Sequence, residues 1–374
     1  MFTYPNECVE WSILIVLYPF LSGLVDGAFV IAFLKKIFNV KSVEPVYRLS
    51  LLTALAFLIA VPLPLIMHLG HPERAFEILF TPHLSSVMSI FGFIYAWCLF
   101  VILLPTIYYD YRKDIVRWAE QNKGLKGAIY RVLTFGYRDI GEKSVRIDEK
   151  IVYALILMGL PSACLLHGYV GFIFGSVKAN VWWSTPLMPI MFILSSIVSG
   201  IALIIVVYVF AMKIKGKLVD VKALDTLATF LLVTYIIDVS IELLEIGHIM
   251  YTREEGFELV ARLITRELFA SFVVVQFILG ALIPMVLILV GKKVGAKVPT
   301  YTIASILTLV GIFAMRWNVV IGGQMISKSL QGFLYYHPEI FGREGILTAV
   351  AIIAVPFVLL AILTNILPPW EEHA

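Results

Sequence analysis

The stretch Val221–Tyr251, VKALDTLATFLLVTYIIDVSIELLEIGHIMY, is apolar enough to cross a bilayer, yet it holds Asp238, Glu242, Glu245 and His248. On a helix turning about 100° per residue these four side chains share one face roughly 120° wide. A charged carboxylate near the bilayer centre costs at least about 2.5 kcal/mol unless it is neutralised, paired or wetted. A plain hydrophobic anchor has no reason to repeat that cost along one face. Two readings compete. One is a hydrogen-bond cluster that only fastens helices together. The other, which the repeated cost favours, is a proton-handling or ligand-facing stripe in a membrane redox or transport protein.

Working outward, the rest of the chain is also built for lipid. Of its 374 residues 60% are hydrophobic and 15% charged, and its mean hydropathy is +0.93. Eight further stretches are long enough to span about 30 Å of hydrocarbon. They are Trp11–Leu34, Arg48–Leu69, Leu84–Tyr109, Ile151–Gly175, Ser184–Met212, Ala270–Gly291, Pro299–Gly322 and Ile346–Leu367. The fold class expected is therefore all-α integral membrane with nine transmembrane helices, because an open strand edge cannot sit in lipid. Internal prolines such as Pro62, Pro161 and Pro356 imply kinks. Cys8, Cys98 and Cys164 lack the spacing of a disulfide framework, a zinc site or an iron–sulfur motif, so no metal site is expected. Glu7 and Glu10 precede the first apolar run, where a cleavable signal would carry basic residues. No loop is long enough to fold as a soluble domain, so soluble chemistry belongs to partners.

The loops give a direction. Lysine and arginine divide 21 to seven between the two sets of connections, and the Asp110–Lys150 connection alone holds ten. By the positive-inside rule the N-terminus lies outside and the C-terminus in the cytoplasm. Tyr18 then lies near the outer end of the first span, His68 ends the second, and His167 and Tyr169 occupy the outer third of the fourth. Glu245 and His248 end the sixth span, and Arg316 lies near the end of the eighth as a candidate partner for Glu245 or Glu242. Asp26, Asp238 and Glu242 are deeper. Histidines and tyrosines favour interfaces on their own account, but convergence from unrelated helices, with carboxylates beneath, describes a pocket at the membrane–periplasm boundary.

Four segments carry a resemblance. Pro161–Leu203 runs PSACLLHGYVGFIFGSVKANVWWSTPLMPIMFILSSIVSGIAL, with a tyrosine, a short Trp183-Ser184-Thr185-Pro186 loop and a helix holding Ser195, Ser196, Ser199 and Gly200. It resembles the signature region of the NrfD/polysulfide reductase membrane-subunit family. YPFLSGLVDGAF (Tyr18–Phe29) is similar to that family's glycine-rich first helix, and HLGHPERAFEILFTPHLSSVMSIFG (His68–Gly92) to its second-span loop and third helix. MRWNVVIGGQ (Met315–Gln324) is similar to a late helix of longer members. The sequence departs from the family at Tyr18, where a histidine is usual, at Ile15, where an asparagine is, and at His68 and His71, which replace an aspartate and an arginine. Arg74 is kept.

The resemblance implies two four-helix bundles related by a pseudo-two-fold. Residues 1–175 would form the first, with a quinone pocket at its outer face. Residues 176–323 would form the second, with the acidic stripe, and residues 324–374 an outer loop, the ninth helix and a cytoplasmic tail. It also implies a quinone-reactive subunit of a respiratory oxidoreductase, not a complete enzyme, in a prokaryotic cytoplasmic membrane. Electrons would pass between menaquinone or ubiquinone and a periplasmic four-cluster iron–sulfur subunit. That partner leads to a catalytic subunit of polysulfide, tetrathionate or nitrite reductase or hydrogenase type. The chain itself would hold no haem and no iron–sulfur cluster, and would bind no nucleic acid. Quinone contacts fall on Tyr18, His68, His167 and Tyr169; histidine titrates nearest neutrality, so His68 or His167 could exchange protons with the ring. Asp26, Asp238, Glu242, Glu245, His248 and Arg316 are the candidates for a proton path, with direct release to the outside left open beside it.

Two rivals stand against this reading. A haem b anchor needs histidines facing one another; His68, His167 and His248 could supply one outer pair, while His83, His337 and His373 lie in loops or the tail. An ion-coupled secondary transporter would use the acidic stripe, but such proteins carry inverted repeats, and none is visible. The charge bias gives the first expected outcome. Reporter fusions in the Asp110–Lys150 connection should read as cytoplasmic and those between Tyr251 and Glu267 as periplasmic; the reverse pattern would invert every depth assigned above.

Overall fold

The structure, a computed structural model, describes residues 8–81, 83 and 85–370. Glu7, Leu84 and His373, which entered the sequence reading, lie outside them. Among the described residues nine helices are long and apolar enough to cross a membrane. They are α1 (Ile13–Lys36), α2 (Lys41–His68), α3 (Ser89–Gln121), α4 (Glu142–Gly175), α5 (Met188–Ile214), α6 (Val221–Thr252), α7 (Phe269–Val294), α8 (Lys297–Met325) and α9 (Ile346–Ile366). Between them the described residues form no strand, only a bridge between Ile326 and Phe333.

Seven of the helices match the apolar stretches closely, and two overrun them. α3 continues to Gln121 and α4 begins at Glu142, well beyond the hydrophobic runs that end at Tyr109 and begin at Ile151. Paired polar groups carry these extensions. Arg112, only 1% exposed, donates from Nε to Asp148 at 2.7 Å, from Nη2 to Ser144 at 2.7 Å and from Nη1 to the Asp139 carbonyl at 2.7 Å. Arg48 of α2 reaches Asp110 at 3.0 Å and Asp114 at 2.8 Å. This lysine- and arginine-rich level is called the basic end below. The connection it carries also holds a helix, Gly124–Leu133, that hydropathy does not announce.

The kinks are local and compensated. Proline at 62 divides α2 into Glu44–Ala60 and Pro62–His68 and removes the N–H that would bond the carbonyl four residues back. That carbonyl, on Leu58, accepts instead from the Tyr95 hydroxyl at 3.1 Å. α3 over Trp97–Leu103 and α7 over Phe269–Leu282 widen to π-type winding, a feature frequent at functional sites.

α1 is the most enclosed helix, with 89% of its apolar window buried, and it packs on α2, α4, α5 and α8. It crosses α5 backbone to backbone. A Cβ at Gly27 would stand 2.3 Å from the Ser196 carbonyl oxygen, and one at Gly200 would stand 2.3 Å from the Gly27 Cα. Close helix approach through small residues is how van der Waals contact replaces the hydrophobic effect in lipid. α7 and α8 meet in the same way at Gly280 and Gly311. α9 lies mainly on α2 and is only 22% buried.

Candidate functional site

The end opposite the basic one is where polar residues penetrate. Arg316 of α8 is 0% exposed. Its Nη2 donates to Ser195 Oγ of α5 at 2.7 Å and to His167 Nε2 of α4 at 3.0 Å, its Nη1 contacts Met315 Sδ at 3.0 Å, and the guanidinium lies 4.0 Å over the Phe192 ring. A guanidinium can only donate, so Nε2 of His167 accepts and the ring proton sits on Nδ1. Nδ1 in turn faces Ser22 Oγ of α1 at 3.1 Å. One chain of hydrogen bonds thus ties α1, α4, α8 and α5. The expected pairing of Arg316 with Glu242 or Glu245 does not form: its hydrogen bonds go to His167, Ser195 and Met315. Both nitrogens of His167 are occupied, which leaves neither for a ring.

Tyr169 and Asp26 both lie within electrostatic reach of Tyr18. Tyr18 is buried against Phe91 at 5.1 Å, and its hydroxyl has no hydrogen-bond partner among the described residues. Tyr169 stacks on Phe172 at 5.8 Å and is half-buried. Helical geometry turns it about 200° from His167, so the two residues of α4 serve different surroundings. Asp26 is buried, neither oxygen has a hydrogen-bond partner among the described residues, and Cys98 and Cys164 lie within its electrostatic reach. The Nδ1 of His68 faces Glu344 at 3.0 Å, just before α9, and Arg343 donates to the Leu69 carbonyl at 2.6 Å.

The acidic stripe of α6 runs from surface to interior. His248 is exposed, Glu245 intermediate, Glu242 8% exposed and Asp238 0%. A cavity of about 50 Å3 between α5, α6, α7 and α8 is lined by Glu242, Gln276, Asn318, Met188, Met191 and Met315, among others. A larger one of about 670 Å3 lies beside it, with His248, Lys178 and Glu254 on its walls. Trp182, Thr185, Glu245 and Ile249 line both. Glu242 Oε2 accepts from Gln276 at 2.9 Å, Gln276 accepts from Asn318 at 2.8 Å, and Asn318 accepts from Ser271 at 2.6 Å. Asp238 sits deeper with both oxygens unpartnered, within electrostatic reach of Glu242 and Arg316.

The Trp-Ser-Thr-Pro loop closes this level. Trp182 and Trp183 donate their indole N–H groups to the Asn318 and Val319 carbonyls of α8 at 3.0 and 2.6 Å, and Trp183 stacks on Trp11 at 5.4 Å. Gln276 and Glu344 escaped the sequence reading. Gln276, a lone amide inside an apolar run, was a usable signal; Glu344 had none.

A helical membrane chain with a buried arginine–histidine contact and a tyrosine pair at one end defines the class. The chain belongs to the polysulphide reductase NrfD family, whose model matches residues 3–328, the stretch that ends just beyond α8. It is 28% identical over 325 residues to a selenate reductase subunit of Mesobacillus selenatarsenatis, covering 83% of this chain and 73% of that one. It is 24% identical over 366 residues to the Hdr-like menaquinol oxidoreductase integral membrane subunit of Archaeoglobus fulgidus, covering 94% and 83%. The NrfD homolog of Haemophilus influenzae is 24% identical over 335 residues, covering 87% and 97%. With its nine apolar helices, this membership makes the chain a multi-pass membrane protein, related to membrane subunits of reductase complexes.

The arginine–histidine contact has a measurable consequence. Hydrogen bonds to charged groups contribute about 1.5–3 kcal/mol, so His167→Leu should lower the thermal unfolding midpoint of the purified protein. His167→Gln, which keeps an acceptor, should recover most of the loss. Equal losses would mean that the ring contributes by shape alone.

Proposed function

We propose that this chain is the quinone-reactive membrane subunit of a respiratory oxidoreductase in a prokaryotic cytoplasmic membrane. It exchanges electrons between menaquinone or ubiquinone and an iron–sulfur subunit docked at the end opposite the basic one, and through it with a catalytic subunit. That end faces outward, and α1–α4 and α5–α8 form two bundles with α9 added. The charge split supports the orientation. The relative from Archaeoglobus fulgidus, which carries menaquinol in its name, supports the substrate class.

The observation that carries the reading is the Tyr18 hydroxyl: buried, unpartnered and beside Tyr169. An unsatisfied buried hydroxyl is costly, and a quinone carbonyl between the two phenols would relieve it, since each phenol can donate. The fit is of donors to acceptors. His167 stands behind the pair, held by Arg316, and orients rather than touches the ring. Removing one hydroxyl takes away a hydrogen bond of about 0.5–1.5 kcal/mol. Tyr18→Phe and Tyr169→Phe should therefore each slow quinone turnover roughly two- to twelvefold in the assembled complex, without loss of the subunit from the membrane. Unchanged kinetics across quinone concentrations in both variants would refute the pocket.

Protons accompany the electrons, and the graded burial from His248 through Glu245 and Glu242 to Asp238 favours passage along α6 over simple release. Both oxygens of Asp238 are buried without a hydrogen bond to the described residues, so they fasten no neighbouring helix by one. Asp238→Asn keeps the volume but removes the titrating group. In vesicles holding a pH dye, the variant should lose proton movement that accompanies turnover. Wild-type proton and electron fluxes would reduce the stripe to a device that fastens helices.

A further inference from the structure

We propose that the cavity between α5, α6, α7 and α8, with the larger one beside it against the loop before α5, α6 and the connection that follows α6, forms a second ligand site, for the reduced headgroup of a quinol. The proposal rests on the reading that this chain exchanges electrons with quinone, and it adds a site in the half of the molecule to which that reading assigns none.

The first support is an internal register. Ser12 accepts from the N–H of Leu14, and Thr185 accepts from that of Leu187, each two residues on. Ten residues further, Ser22 contacts His167 while donating to the Pro19 carbonyl, and Ser195 contacts Arg316 while donating to the Phe192 carbonyl. Five further still, Gly27 and Gly200 touch one another. The sequences Ser22-Gly-Leu-Val-Asp-Gly27 and Ser195-Ser-Ile-Val-Ser-Gly200 share this spacing. α4 and α8 match through His167 and Arg316, which are in contact. In that register Ile15 and Tyr18 fall on Met188 and Met191, and Tyr169 falls on Asn318. These last three line the smaller cavity. The cavity therefore occupies, in α5–α8, the place that Tyr18 and Tyr169 occupy in α1–α4.

The second support is chemical. The tyrosine pair offers donors, which suit the carbonyls of an oxidised ring. The second cavity offers an acceptor. Glu242 is more than nine-tenths buried and lines the cavity; Oε2 is held by Gln276, and Oε1 has no hydrogen bond among the described residues. A carboxylate oxygen so placed suits the O–H of a hydroquinone, while Trp182, Phe272 and the methionines supply apolar and polarizable walls. About 50 Å3 holds a few waters or a reaching hydroxyl. The adjoining 670 Å3 lies within the roughly 300–1,000 Å3 typical of small-molecule sites and has room for the ring. Its wall includes Leu244, 70% exposed, which marks a flank where an isoprenoid tail reaches lipid.

The test is anaerobic equilibrium dialysis of radiolabelled menadiol against the purified complex, corrected for protein-free micelles. Two equivalents should bind the wild-type complex and one should bind Met191→Trp, which fills the smaller cavity. Because that variant risks misfolding, Glu242→Gln serves as a second. It keeps the shape but weakens one of the two sites about five- to tenfold by removing the charged acceptor. A single equivalent that survives both substitutions overturns the second site and leaves the tyrosine pocket standing. A single equivalent lost in both supports the second site and overturns the tyrosine pocket. No binding at all overturns both.

Discussion

A guanidinium in a water-free interior must have its donors met by the protein itself, and meeting them decides how these helices assemble. The Nη2 of Arg316 finds acceptors only where α4 brings His167 and α5 brings Ser195 to the same point, while its Nε finds none among the described residues. His167 in turn requires Ser22 of α1. Four helices are fixed to one another at one depth before any apolar packing is counted. The glycine crossing of α1 with α5 lies just below, and it permits the approach that the polar chain demands. Breaking any one link strands a buried donor, so the contact acts as a unit.

Much of the architecture was legible in hydropathy, since lipid allows a chain so few ways to satisfy its backbone. All nine apolar stretches are helices long enough to cross a membrane among the described residues. The overruns of α3 and α4 were not legible, because Arg112 and Asp148 look like solvated loop residues until their pairing across two helices is seen. Nor could the sequence place His167. Its position two residues from Tyr169 suggested one shared pocket, whereas helical rotation sends the two in different directions. The Pro62 kink was expected, but not that Tyr95 of another helix would take the released carbonyl. The repeated Ser–Val–Gly spacing of α1 and α5 was in plain view; it was missed because only inverted repeats were sought, and this one runs parallel.

The two halves of the molecule have divided their polar equipment. α1–α4 present phenolic hydroxyls and one deep carboxyl, Asp26, enclosed with Cys98 and Cys164. α5–α8 present a ladder of acids and amides that opens through a cavity at the non-basic end. The halves are joined at the arginine–histidine contact of α4 with α8 and at the glycine crossing of α1 with α5. The π-type winding of α3 and α7 falls beside each half's buried acid, at Cys98 near Asp26 and at Gln276 against Glu242.

The near-complete enclosure of α1 also governs how the chain can be made. Its Gly27 has no partner until Gly200 has been synthesised, about 170 residues later. At roughly 5–20 residues per second that interval is about ten to thirty-five seconds. Until then the glycine groove of α1 lacks the backbone that fills it, even after His167 of α4 has reached Ser22. α1 is thus completed only long after it is made, when the fifth helix arrives.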